Sequence, residues 1–291
     1  MRFMLKYRTI VRDHIVLMKP GIVLLVLVTA LNGMYMGQRG FPTFLLILPT
    51  MFGIGLSAAG SAVLNNFFDR DIDRLMRRTM VRPIPQGRVY PASALIFGLF
   101  LIMVAIAVFA VFVNVLTAVL TFISAFIYVI PYTVLMKRRT HLVTHVGSIT
   151  GALPPVIGYV AVKGHIDLQS LVLFAIMFIW QHPHFWAYAL KYKDDYSRAG
   201  IPILPISKGI IKTKTQTLIY TIILLPFGLL PYFLSMAGII YLLTSIVLGI
   251  FYIIFALRFY LSKKESDRIL FVYSLIYITA VFIVLVVDMI K

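Results

Sequence analysis

An all-α, polytopic membrane protein is what this sequence predicts, on three observations. Of its 291 residues, 61% are hydrophobic, with a mean hydropathy of +0.96, more apolar surface than a soluble core can cover. The apolar residues gather into runs of about 20, the length of a membrane-crossing helix. The basic residues fall almost wholly into alternate gaps between those runs.

Taken in order, the runs give nine spans: 20–38, 43–64, 91–112, 115–136, 145–162, 168–189, 215–235, 237–258 and 268–288. The third and fourth are joined by a short turn at Val113–Asn114, the seventh and eighth near Met236–Gly238. We read residues 1–291 as one transmembrane domain. A basic, amphipathic lead-in (1–19) precedes the first span, with no small-residue cleavage site in sight. Two long polar loops, 64–90 and 190–214, interrupt the spans. All 27 Lys and Arg except Arg39, Lys163 and Lys291 lie on the side of the N-terminus and those loops. The positive-inside rule places that side in the cytoplasm and the C-terminus outside. This asymmetry accounts for the net charge of +17 without nucleic acid. With no cysteine, disulfides and thiolate metal sites are excluded.

The stretch Asn65 to Pro83 carries the chemistry. It reads N-N-F-F-D-R-D-I-D-R-L-M-R-R-T-M-V-R-P and holds three of the ten acidic residues and five arginines. Asn65, Asp69 and Asp73 are four apart each time, so a helix sets them on one face, and Arg77 extends that face. Asp71 points elsewhere and is read as structural. Two carboxylates and an amide oxygen that close suit a hard cation such as Mg²⁺, which takes carboxylate and phosphate oxygens. Arginines beside them suit a diphosphate, because guanidinium forks onto phosphate oxygens. The competing reading is a solvated loop laced by i,i+4 ion pairs. The asparagine, the membrane boundary and the train of arginines favour the site.

Further on, Ile130-Pro131-Tyr132-Thr133 ends the fourth span, followed by Lys137-Arg138-Arg139. Gly147 to Gly158 reads G-S-I-T-G-A-L-P-P-V-I-G. Its small residues allow close packing, and Pro154-Pro155 is expected to break or kink the helix beside a cavity. Trp180 to Tyr196 reads W-Q-H-P-H-F-W-A-Y-A-L-K-Y-K-D-D-Y. Its aromatics read as an interfacial belt. His182 and His184 are two apart, so a helix points them to different sides. Lys191 and Asp195 are spaced for a plain salt bridge. Opposite the first motif, Asp194 and Asp195 can instead supply a second metal, with Lys191 on phosphate. A faint repeat links the halves: each long loop carries acids and then a proline-rich turn, P-I-P-Q-G at 83–87 and P-I-L-P at 202–205.

These residues resemble the UbiA superfamily of intramembrane prenyltransferases, and within it the haem O synthases. The superfamily signature is similar to Asn65, Asp69 and Asp73. The closer family signature is similar to D-R-D-I-D-R-L-M-R-R-T-M-V-R-P at 69–83, Y-T-V-L-M-K-R at 132–138, G-A-L-P-P-V-I-G at 151–158, W-Q-H-P-H-F-W-A at 180–187 and K-D-D-Y-S-R-A-G-I-P-I-L-P at 193–205. Lys191 stands where the superfamily usually has the first acid of its second motif. The resemblance implies nine helices around a central cavity, Mg²⁺, and farnesyl diphosphate and haem b as substrates. It also implies haem O for oxidase assembly, a prokaryotic cell membrane, and haem A synthase or oxidase assembly factors as partners. On it, Asn65, Asp69, Asp73, Asp194 and Asp195 are metal ligands. Arg78, Arg82, Lys137, Arg138 and Lys191 bind diphosphate. Tyr132, Asp69, Asp73 and Asp195 serve catalysis, and His184, His182 and Trp180 contact haem. A related enzyme for quinone precursors is the nearest alternative. A haem-binding subunit leaves the acids unexplained. A cation transporter would set its acids near the midplane, whereas these lie at span ends beside arginines.

The absence of native cysteine makes the orientation directly measurable. Gln86→Cys should react only with a membrane-impermeant thiol reagent supplied from the cytoplasmic side. Labelling from the outside in sealed, oriented vesicles would reverse the topology.

Overall fold

The structure is a computed structural model that describes residues 2–290, with side chains from Ile10 onward. The basic side chains of Arg2, Lys6 and Arg8, and Lys291, lie outside the described residues. Helix α1 (Arg2–Leu17) is the lead-in. The long helices follow as α2 (Pro20–Gln38), α3 (Phe44–Phe68), α5 (Pro91–Phe112), α6 (Val115–Ile127), α7 (Val143–Lys163), α8 (Leu168–Lys191), α11 (Gly209–Phe233), α12 (Ile239–Leu261) and α13 (Arg268–Val287). Short helices α4 (Arg70–Asp73), α9 (Lys193–Arg198) and α10 (Leu204–Ser207) lie in the two polar loops.

Eight of the long helices are long and apolar enough to cross a membrane, with α6 extended to Met136. The ninth, α8, has 24 residues but carries Gln181, His182 and His184 in its second half. It packs on α7, α11 and α13, so its polar groups meet protein. With α8 there are nine long helices among the described residues, set against the nine spans expected, and eight of them have the length and hydropathy of a crossing. Neighbours in sequence are neighbours in space, and α13 closes the ring against α2. One apolar cluster lies among α8, α11, α12 and α13, another among α2, α3, α5, α6 and α7.

Several ends differ from the hydropathy reading for definable reasons. Helix α3 runs past residue 64 because its asparagines are satisfied: Asn66 Nδ2 donates to the carbonyls of Ala62 (2.8 Å) and Leu17 (3.1 Å). Helix α11 starts at Gly209 rather than 215. There Lys214 reaches the Ser262 carbonyl at 2.8 Å and lies over the Phe259 ring. Side-chain caps mark other starts. Asn114 accepts from Thr117 N, and Asp167 and Ser170 form a capping box.

Helix α7 is the most buried span. It stays continuous through Pro154 and Pro155, where the sequence suggested a break. Proline fixes φ near the helical value, and neighbouring helices in a membrane compensate for its missing N–H. Close approach to α2 depends on glycine. A Cβ at Gly33 would fall 1.9 Å from the Pro155 carbonyl oxygen, and one at Gly158 would fall 2.0 Å from that of Ala30. In lipid, with little hydrophobic drive between helices, such contact is what holds them together.

Where α6 continues, Tyr128–Met136 forms wide π turns around Pro131. Proline cannot donate to residue i−4 and its ring crowds that carbonyl. The chain relaxes into i→i+5 bonds, as in Lys137 N to Tyr132 O at 3.0 Å.

Gly158→Ala should destabilise the protein by about 1–3 kcal/mol, the usual cost of overpacking. Unfolding in detergent measures this, and an unchanged midpoint would refute the contact.

Candidate active site

The end of α3 and the loop beyond it bring the first acids together. Helical bonds continue past Phe68, from Asp69 N to Asn65 O (2.9 Å) and from Asp73 N to Asp69 O (2.8 Å). Asn65, Asp69 and Asp73 are all buried. Beyond Asp73 the helix stops. Arg77 therefore leaves the shared face, contrary to the simple four-residue extrapolation, and its side chain is exposed.

The buried side chains are held by a network of partners. Asn65 Nδ2 donates to Asp69 Oδ2 (2.7 Å) and to Thr133 Oγ1 (3.2 Å), which itself donates to the Tyr128 carbonyl. Lys19 Nζ donates to Asn65 Oδ1 at 2.8 Å. Lys137 forms an ion pair with Asp69 Oδ2. Arg82 pairs with Asp73 Oδ2 at 2.6 Å. Asp69 thus pairs with a residue far along the chain and not with Arg74 or Arg77, as a solvated loop of local ion pairs would require. Asp69 Oδ1 is buried with no hydrogen-bond partner. An orphaned carboxylate oxygen is costly. With the Asn65 amide and Asp73 beside it, this oxygen-only set fits a hard divalent cation.

The surrounding cations are perturbed by this setting. Burial, then the charges of Arg82 and Lys137, pulls the Lys19 ammonium down to about 7, against Asp69 and Asp73. Burial also lowers Lys137, but the Asp69 carboxylate overrides it and leaves that ammonium raised.

A cavity of about 400 Å³ runs from Lys19 and Tyr132 down to Ile54 and Ile157. Tyr128 and Tyr132 stack at 5.2 Å and form one wall. The ring of Tyr132 lies where Gly147 leaves room, since a Cβ there would sit 2.8 Å from it. His184 faces the cavity. Its Nδ1 is hydrogen-bonded to Ser274 Oγ (2.7 Å), and its ring is held between Trp180 and Phe271. Trp180 donates its indole N–H to the Ser274 carbonyl at 2.7 Å. His182 turns to the other side, fully buried against His145, Tyr220 and Trp186.

The second polar loop meets the first, but not carboxylate to carboxylate. Asp195 accepts from Arg77 N (3.2 Å) and Arg78 N (3.4 Å), and pairs with Arg198. Asp194 and Lys191 are exposed. Among the described residues, no three acidic or histidine side chains gather as one metal cluster. Arg138 lies outside, on the Phe68 carbonyl and near Asp71. Arg78 is enclosed by Tyr188, Tyr192 and Tyr196, so these tyrosines do more than line an interface. Burial raises the Tyr196 phenol, opposed by Arg78 and Lys137. Sequence reasoning missed Lys19, Thr133 and this tyrosine set. The available signals were a lysine directly before Pro20 at a span's start, and tyrosines spaced by four like the acids.

A helical membrane bundle that joins paired acids and basic side chains, through Lys19, to an apolar cavity has the parts a prenyltransferase needs. Residues 26–284 match the UbiA prenyltransferase family, and the chain belongs to that family. It is 48% identical to the protoheme IX farnesyltransferase of Aquifex aeolicus, covering 98% of this chain and 97% of that one. The fold is similar to a digeranylgeranylglyceryl phosphate synthase structure, with a TM-score of 0.81 at 20% identity over 96% of this chain and 98% of that one. It is also similar to a UbiA homolog from Archaeoglobus fulgidus bound to DMAPP and Mg²⁺, with a TM-score of 0.70 at 16% identity over 94% and 99%.

Gly147→Ala should push the Tyr132 ring out of its slot and lower the rate of prenyl transfer about tenfold, with the protein still folded. A wild-type rate in single-turnover assays would show that the ring's position is immaterial.

Proposed function

We propose that the protein transfers a farnesyl group from farnesyl diphosphate to a vinyl group of haem b, giving haem O for oxidase assembly. The observation that carries this is the buried, unpartnered Asp69 oxygen in a cluster held by Lys19, Arg82 and Lys137, with Lys19 also lining the apolar cavity. That arrangement suits a metal-chelated diphosphate with its prenyl tail in the cavity. The haem acceptor is supported by the full-length likeness to protoheme IX farnesyltransferases.

Asn65, Asp69 and Asp73 would hold Mg²⁺, which when bound draws charge from the leaving diphosphate. The chain's own residues then divide the remaining work. Lys19, Arg82 and Lys137, joined by Arg78, meet the charge on the diphosphate as the C1–O bond breaks and its electron pair leaves with that group. The stacked faces of Tyr128 and Tyr132 favour the allylic cation left behind. A vinyl π pair forms the new C–C bond. The resulting cation beside the macrocycle takes a water oxygen, and that water's proton is lost. His184, fixed through Nδ1 by Ser274 and stacked on Trp180, orients haem through its other nitrogen. His182 contributes by packing α8. We place the mouth on the cytoplasmic side of a prokaryotic cell membrane, where the basic loops lie, with haem A synthase or oxidase assembly factors downstream.

A quinone-precursor acceptor is the second reading, because it needs the same diphosphate mouth. His184 on the cavity wall argues for the macrocycle. Purified protein with haem b, farnesyl diphosphate and Mg²⁺ should yield haem O, read by mass. Asp69→Asn and Asp73→Asn should each nearly abolish it in folded protein. Prenylation of a hydroxybenzoate-type acceptor, with haem b untouched, would reverse the assignment.

A further inference from the structure

The second polar loop holds the first one's arginine from three directions. Tyr188, Tyr192 and Tyr196 are spaced by four along α8 and α9, and their rings lie 5.2–5.3 Å from the Arg78 guanidinium carbon. The guanidinium donates to the Tyr188 hydroxyl and, at 3.1 Å, to the Tyr196 hydroxyl. Its Nε is buried with no partner. A guanidinium has five N–H donors in a rigid fork, so the phenols fix its plane while other donors stay free for an anion. The backbone is held as well, since Asp195 takes the N–H groups of Arg77 and Arg78 on its two oxygens. Arg198 covers the same carboxylate. Both Asp195 oxygens are therefore engaged, and Asp194 is exposed.

Taking the mouth as a diphosphate site, we propose that Tyr188, Tyr196 and Asp195 are positioning residues for Arg78. The second acidic loop is thus a clamp that presents one arginine to the diphosphate. Removing the phenolic hydroxyls leaves the rings in place but frees the guanidinium to rotate. Removing the Asp195 charge turns one acceptor into an amide donor facing the Arg78 N–H and loosens the loop.

The test separates metal from anion. Mn²⁺ affinity is read by electron paramagnetic resonance without substrate, and farnesyl diphosphate affinity is read in chelator without haem. Asp69→Asn should lose Mn²⁺ binding, whereas Tyr188→Phe with Tyr196→Phe should keep it within about twofold, and Asp195→Asn should weaken metal-free farnesyl diphosphate binding as those phenylalanines do. Tyr188→Phe with Tyr196→Phe should weaken metal-free farnesyl diphosphate binding roughly tenfold, the scale of a lost charge-assisted contact. In an Arg78→Lys background the same phenylalanines should add nothing, a non-additivity that general destabilisation would not produce. If the phenylalanines lose Mn²⁺ as Asp69→Asn does, the tyrosines do not act through Arg78 and the clamp is overturned. It is equally overturned if the phenylalanines act undiminished without Arg78. Should Asp195→Asn fail to fold, the Arg78–tyrosine cycle decides alone. Absence of farnesyl diphosphate binding by the wild type would instead remove the diphosphate reading itself.

Discussion

Two carboxylates buried at the end of α3, Asp69 and Asp73, set the terms for that end of the molecule. Buried charge is tolerated only when paired and hydrogen-bonded. Lys137 comes back from the end of α6, Arg82 from the loop beyond α4, and Lys19 from the start of α2. Three separate segments are thereby drawn to one point. The same demand keeps α3 helical beyond its apolar run, because Asn65 has work on both sides of its amide. The Asp69 Oδ1 oxygen stays buried without a partner, a setting that would suit a cation.

The cavity beneath depends on a different constraint, the shape of two proline-bearing segments. Pro131 widens the helix, and its turns present Tyr128 and Tyr132 as a stacked wall with Thr133 directed at Asn65. Helix α7 instead stays regular through its prolines and carries glycines towards its two ends. Gly158 admits the backbone of α2, and Gly147 admits the Tyr132 ring. Close packing below and open space above are thus properties of the same helix. His184 looks into that space because its ring is caught between Trp180 and Phe271 and tied to Ser274.

The electrostatics of the mouth divide between two loops with different tasks. The first supplies acids and arginines; the second supplies aromatic faces, hydroxyls and one carboxylate that ties down backbone. An arginine held flat by phenols has less freedom to lose on meeting an anion, which is the advantage of guanidinium over a flexible ammonium. Asp13 extends the pattern, pairing with Arg88 at 3.2 Å and fastening the first loop to α1.

Much of this was legible in the chain itself. The spans are hydrophobic runs of bilayer length, and their one-dimensional pattern carries through to α2, α5 and α6 almost residue for residue. The convergence of Asn65, Asp69 and Asp73 follows from a four-residue spacing, which a helix preserves. The opposite orientation of His182 and His184 follows from a two-residue spacing in the same way. What the spacing could not supply was anything dependent on where the helix ends or on partners distant in sequence. Arg77 leaves the face because the helix stops after Asp73. Asp195 turns to the backbone of residues 77 and 78, more than a hundred positions away. Lys19 looked like one more positive charge at the membrane edge until folding set it on Asn65. Local periodicity is a property of the backbone, so the sequence by itself determined the spans and the shared face of the acids. Burial and pairing are properties of the assembled bundle, so only the tertiary structure decided which charged groups meet, which oxygen is left without a partner, and which histidine looks into the cavity.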